Sequence, residues 1–285
     1  MIRLANAPSA YQRVDIPRGA LYLVLVVLSI LAIGPFVWGI LTSFKSARQI
    51  ASQPLAWVPN PLTFDNYARA FQRGLGIGIS NSAIVALASV ILSVGLAALT
   101  GYALARIRFR FSNLILFSII APQFVPGLVN LVPTYIIMAH LALLDTYTVL
   151  ILLYTVHSLP MAVWIVKAFF ETVPVELEHA AMIDGCTRWG SLWRIMLPLA
   201  QPGLAAAALF AFVNSWNEFL IAITMTSSAE MRTLPVAIYL SITDVGIDWG
   251  ALMASATLAV LPIAILFAFL QKRFISGLTA GALKG

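Results

Sequence analysis

Charge is what this sequence has least of. Aspartate, glutamate, lysine and arginine make up 10% of its 285 residues, against 61% hydrophobic residues, whereas a soluble domain carries about a quarter charged residues. With a mean hydropathy of +0.93, the chain reads as an all-α membrane protein. There is one cysteine, Cys186, which rules out an internal disulfide. No G-x-x-x-x-G-K-[ST] stretch is present, so ATP has no phosphate cradle here. His140, His157 and His179 are scattered, without cysteine or paired carboxylates at ligand spacing, which argues against a metal site. A Gly-x-Ser-x-Gly elbow is missing as well. An enzyme reading therefore has no residues to stand on. Nor is the net charge of +6 a nucleic-acid footprint, because basic residues in a membrane chain mark its cytoplasmic side and the anionic lipid there.

What the chain has instead is long uncharged runs. Residues 19–44 form the first, long enough to span a bilayer and longer than the roughly 7–15 apolar residues of a signal-peptide core. The polar segment 45–73, with Pro54, Pro59 and Pro61, reads as an external loop with one short helix near Asn66 to Arg73. The second span covers Ser80 to Leu104, where Gly95, Gly101 and many alanines suit close helix packing in lipid. Arg106, Arg108 and Arg110 behind it mark the inner side. The third span lies within 111–144, where Pro122, Pro126, Gly127 and Pro133 predict a bent or broken helix. Protein or a cavity has to surround such a break, since freed backbone groups cannot face lipid unpaired. Thr146 to Val166, Gly203 to Met225 and Trp249 to Gln271 complete six spans, the last closed by Lys272 and Arg273. Both termini then lie in the cytoplasm, and of the basic residues Lys45, Arg48, Arg69, Arg73 and Arg232 fall outside. The expected organisation is a tail (1–18), a six-span domain (19–275) and a second tail (276–285).

One polar interruption stands apart, Val173 to Pro202, VPVELEHAAMIDGCTRWGSLWRIMLPLAQP. Pro174 can start a helix, and Asp184-Gly185 supplies a turn in which glycine takes the positive φ that ends one. Trp189, Leu192, Trp193 and Met196 recur at i, i+3, i+4, i+7, the apolar stripe of a second helix. The stretch predicts a helix–turn–helix on the membrane surface, its stripe toward lipid or the spans and its first helix offered to a soluble partner.

Ala180-Ala181, Gly185, Ile195, Leu197 and Pro198 keep every spacing of the EAA loop, and the chain resembles the permease subunits of bacterial ABC importers of the carbohydrate-uptake type. Trp216-Asn217-Glu218-Phe219 and the ending Gly277 to Gly285 extend the likeness toward the smaller permease subunit of the maltose importer. The departure is His179, where the family usually has glutamate; Glu178 points about 100° away on a helix and does not simply substitute. The resemblance implies the type I permease fold and an ATPase-coupling role for Glu178, His179, Ala180, Ala181, Asp184, Gly185, Ile195, Leu197 and Pro198. It also implies a homologous second permease, two cytoplasmic ATPase subunits that bind ATP and magnesium, an extracytoplasmic solute-binding protein, a sugar substrate and the bacterial inner membrane as location. Ser241, Thr243 and Asp244 would face the binding protein.

Within the fifth span, Asn214 and Glu218 are i, i+4 and share a helix face, with Asn217 adjoining. An ionisable group at that depth faces a bundle interior or a wet cavity. The residues fit a polar wall for a hydroxylated solute, with Trp216 and Phe219 to stack on its C–H faces, and they fit a hydrogen-bonded clamp between spans equally well. Two rival functions stay open: a permease for a polyamine or phosphate ester, and a secondary transporter or channel acting alone. The latter would need internal repeats or buried ion-coupling charges.

Overall fold

The uncharged runs become helices. The computed structural model describes residues 17–107, 110–240, 242–243 and 246–282, with side chains at all of these except 243 and 272–282. In chain order the elements are α1 (Arg18–Ser43), the short α2 (Ala47–Ile50) and α3 (Asp65–Gln72), then α4 (Leu75–Arg106). Next come α5 (Ser112–Ile120), a 3-10 turn (Ala121–Phe124), α6 (Gly127–His140) and α7 (Tyr147–Thr172). A surface group follows: α8 (Val175–Ile183), α9 (Arg188–Ser191), a π-turn (Leu192–Met196) and α10 (Leu197–Leu199). The chain closes with α11 (Gln201–Asn217), α12 (Leu220–Met225), a 3-10 turn (Ala229–Met231), α13 (Leu234–Tyr239), a small hairpin β1 (Ile242–Thr243) and β2 (Gly246–Ile247), and α14 (Trp249–Ala282). The fold is all-α apart from that hairpin.

α4, α7 and α11 form the centre. Half of the most apolar window of α7 is buried within the chain, whereas none of that of α1 is, so α1 offers its sides to lipid or to another protein. Small residues allow the close approach. A Cβ on Gly101 of α4 would lie 3.1 Å from the Lys167 nitrogen of α7, and Ala97, Val163, Val166, Phe170 and Ala207 fill the seam between the three helices. Thr146 caps α7 by accepting the Val149 N–H, which satisfies one of the donors left over at a helix start.

Two spans are broken. The arms Ser112–Phe124 and Gly127–His140 meet at 99°, as the prolines predict. Phe124 and its neighbours stay exposed, so this chain's described residues do not supply the lining that the break requires. The second break has no proline or glycine to announce it: the fifth span stops at Asn217, passes through extended Glu218, and resumes at Leu220. Arg188–Leu199 and α11 are together long and apolar enough to count as one bent span. Exposed Arg188 and Arg194 on the first arm make it a surface element instead, and the fifth span is α11 with α12. At the other end of the chain, α14 continues as helix past Gln271, where the charges of Lys272 and Arg273 predict its end, to Ala282.

Away from the surface group, polar side chains tie the loops to the spans. Buried Asn66 donates to the carbonyls of Ser43 and Lys45, both at 2.7 Å, and Arg69 and Arg73 pair with Asp248 at 3.0 and 3.1 Å. Asp248 also accepts the Ala251 N–H at the start of α14. Asp145, at φ 59°, accepts from Ser227 N–H and from the N–H and hydroxyl of Ser228.

Candidate functional site: a surface hairpin and a broken span

α8 ends as its sequence demands. Gly185 takes φ 88°, its N–H bonds the Met182 carbonyl, and the Cys186 N–H reaches back to Ala181, the paired bonds of a Schellman stop. Thr187 then caps α9 by accepting the Gly190 N–H at 3.1 Å. The stop leaves His179, Ala180, Asp184 and Gly185 exposed, with Ile183 86% exposed at the tip.

Glu178 departs from the expectation. The sequence groups it with the partner-facing residues, yet it is 4% exposed, as Ala181 is 7%; both point into the protein. The Glu178 carboxylate accepts the Tyr102 hydroxyl and pairs with Arg106, Nε to Oε2 at 3.2 Å. Arg106 in turn donates from Nη2 to the Val173 carbonyl at 2.6 Å. The Tyr102 hydroxyl also lies 3.3 Å from the Arg188 carbonyl. Sequence reasoning marks Arg106 only as a sign of topology and misses Tyr102 altogether. A basic residue at the end of a span, opposite a glutamate one turn from the loop start, was the available signal for the pair.

The Trp stripe divides between the protein and its surroundings. Leu192 and Met196 are buried, while Trp189 and Trp193 are exposed and meet edge to face with ring centroids 5.8 Å apart. Leu192 and Met196 thus meet the spans, on a π-turn (Leu192–Met196) wider than an α-turn, while the two tryptophans face outward. Ile195 and Leu197 are half-buried and Pro198 exposed at the base of the hairpin.

The broken fifth span holds the second group. α11 ends at Asn217 with Glu218 as its C-cap, at φ −69° and ψ 121°, so the helix on which Asn214 and Glu218 are spaced i, i+4 stops at the break. Glu218 Oε1 instead accepts the Ile221 N–H at 2.6 Å, which caps the resumed helix, and its carbonyl is 3.3 Å from the Tyr154 hydroxyl. Asn217 is exposed and lines an open cavity of about 400 Å³ together with Trp216, Phe219, Pro235, Tyr239 and Ala259. Asn214 and Glu218 are not among its walls. Phe219 and Tyr239 face each other there, centroids 5.1 Å apart. Of the three loop residues, Ser241 and Asp244 lie outside the described residues, and Thr243 is described only as backbone of β1. Among the described residues no group of three His, Cys, Asp or Glu is placed to hold a metal ion.

Comparison with known proteins agrees with this architecture. The family model for the binding-protein-dependent transport system inner membrane component matches residues 93–279. The chain is 43% identical over 252 residues to the sulfoquinovosyl glycerol transport system permease of Agrobacterium fabrum, covering 88% of both chains. It is 36% identical to a diacetylchitobiose uptake system permease of Streptomyces coelicolor, over 91% of this chain and 95% of that one. A bacterial ABC transporter involved in importing the acidic polysaccharide alginate has the same fold, with a TM-score of 0.77 at 21% identity over 93% of this chain and 99% of that one. On the strength of the family match and these relatives, the chain belongs to the inner membrane components of binding-protein-dependent transport systems.

Proposed function

We propose that this chain forms half of the membrane pathway of an ATP-driven importer for a sugar or oligosaccharide. A homologous second permease forms the other half. Two cytoplasmic ATPase subunits bind the ATP and magnesium that this chain has no site for, and an extracytoplasmic binding protein delivers the solute. The observation that carries the reading is the Schellman-stopped hairpin, which presents His179, Ala180, Ile183, Asp184 and Gly185 from a buried polar base. Those residues, with Ile195, Leu197 and Pro198 bracing them, meet the ATPase. The uncovered break between α5 and α6 calls for a second membrane protein.

The mechanism is alternating access. ATP-driven closure of the ATPase pair displaces the hairpin, the spans tilt, and the cavity opens outward; hydrolysis returns it, a population shift between two bundle arrangements. The cavity at the α11–α12 break sets Asn217 among aromatic and aliphatic walls; its amide can hydrogen-bond the hydroxyls of a polyhydroxylated solute while the rings stack on its C–H faces. Among the described residues its lining holds no carboxylate or basic group to balance a polyamine or a phosphate ester, and the relatives' sugar substrates point the same way. Asn214 and Glu218 lie next to that wall in sequence and are not among the residues lining it. Ser241, Thr243 and Asp244 face the binding protein, and the tails 1–18 and 276–285 lie in the cytoplasm beside the six-span domain.

The test is reconstitution of the chain with its second permease, ATPase and binding protein in proteoliposomes, followed by uptake of a sugar panel. Saturable, ATP-dependent uptake of one sugar is expected. ATP turnover by the purified chain alone, or uptake without any ATPase subunit, would overturn the reading.

A further inference from the structure

We propose that α4 is the strut that couples the two faces of the molecule, with Tyr102, Arg106 and Glu178 as positioning residues fastening the ATPase-facing hairpin to it. The inference rests on the reading of that hairpin given above. In sequence the hairpin follows α7, yet its buried polar anchors go to α4. Tyr102 and Arg106, in the last two turns of α4, hold Glu178 of α8, and they reach the Val173 and Arg188 carbonyls on either side of that helix. The Arg106 and Glu178 side chains are 11% and 5% exposed. A buried ion pair gains little net stability, because desolvation offsets the attraction; what it fixes is one arrangement of the groups around it.

The other end of α4 is fastened in the same manner. Asn81 donates to the Glu230 and Arg232 carbonyls at 2.7 and 2.8 Å and accepts from the Tyr147 hydroxyl at 2.7 Å. Ser82 accepts the Leu234 N–H at 2.8 Å. At Gly78 a Cβ would come within 2.9 Å of Ala237, so α13, which carries the cavity-wall residues Pro235 and Tyr239, lies directly on this helix. α1, α7 and α14 contain Pro35, Pro160 and Pro262, and the fifth span is broken between α11 and α12. α4 has no proline along its 32 residues, about 48 Å at the α-helical rise, so it lacks the usual cause of a kink. A displacement of the hairpin is thereby carried by one unbroken helix to the segment that walls the cavity, and the coupling runs equally in the reverse direction.

The test uses the complete importer in proteoliposomes and reads the ratio of ATP turnover with and without solute-loaded binding protein. Glu178→Gln is expected to lower that ratio by about fivefold or more, within the usual range of coupling between sites. Asn81→Ala, at the far end, should lower it too, and the double variant should fall no further than the worse single one, since both cut the same route. A merely structural role would reduce the amount of complex and leave the ratio intact. If Glu178→Gln does not assemble, Tyr102→Phe, which removes one hydroxyl and keeps the ion pair, carries the same measurement. A wild-type ratio in the assembled variants, or losses that multiply in the double variant, overturns the strut alone. A wild-type complex that its binding protein does not stimulate overturns the functional reading beneath it.

Discussion

Gly203 lies under the ring of Phe169 so closely that a Cβ at position 203 would sit 2.3 Å from Phe169 Cγ. The first turn of α11 is thus seated against the end of α7, next to the hairpin that separates them in sequence. Gly203→Ala forces one of the two helices aside and is expected to cost about 1–3 kcal/mol, the usual range for overpacking. Adding Phe169→Leu should recover most of the loss. Thermal midpoints of the detergent-solubilised protein check both; a Gly203→Ala midpoint equal to wild type would show that the two helices do not meet this way.

Two carboxylates on the far side from the hairpin are held below their usual range. At Asp145 the Ser227 N–H is the main cause, with partial burial opposing and the Ser228 N–H and hydroxyl assisting. At Asp248 partial burial alone would raise the carboxyl, but the Arg69 hydrogen bond, the Ala251 N–H and the charges of Arg69 and Arg73 together outweigh it. A carboxyl whose folded pKa is depressed stabilises the fold above its unfolded value, about 4, and that contribution is lost as pH falls through the folded value. Acid should therefore destabilise the protein below about pH 4, and Asp145→Asn or Asp248→Asn should lower stability near neutrality while flattening the acid slope. Melting curves across that range read both effects at once.

The spans were legible because, in a chain this apolar, a long run without charge has little to be except a helix in lipid. The break in the third span was legible too, since Pro122 and Pro126, four residues apart, each remove a ladder donor and crowd the turn before it. The break at Glu218 was not: Asn214 to Phe219 contains neither proline nor glycine, and the interruption is held by a tertiary contact at Tyr154 and a side-chain cap on Ile221. Helical periodicity separates Glu178 from His179 correctly in angle. It does not say which of the two faces inward, because that depends on Arg106 and Tyr102 arriving from a helix some seventy residues earlier.

Glu218 now carries a different expectation from that of a pathway wall. Its carboxylate caps α12, so Glu218→Ala frees a backbone donor at the break and should cost about 1 kcal/mol, as the loss of a cap does. Glu218→Gln keeps an acceptor oxygen and should retain membrane abundance. Asn217→Ala, which changes the cavity wall without touching the cap, should instead impair uptake at normal abundance. Abundance and uptake measured side by side separate the two; if Asn217→Ala transports at the wild-type rate, the cavity is not part of the path.

At the tip of the hairpin, backbone geometry and partner contact can be told apart. Gly185 has φ 88°, and a Cβ there would meet nothing within 4 Å in this chain, so the demand for glycine inside the molecule is conformational. A left-handed residue other than glycine costs roughly 1–2 kcal/mol, with asparagine tolerated best. Gly185→Val should leave the spans inserted while the ATPase subunits loosen and uptake falls; Gly185→Asn should keep more of both unless the partner's surface also excludes a side chain. His179, exposed beside it, has no fixed negative charge with which to meet an arginine, as a glutamate would. His179→Glu should be tolerated, and His179→Asp, with its shorter reach, should do no better than His179→Ala. ATPase co-purification scored with uptake decides the series: Gly185→Val retaining both at wild-type levels would mean that the hairpin, for all its fastening to α4, is not the coupling element.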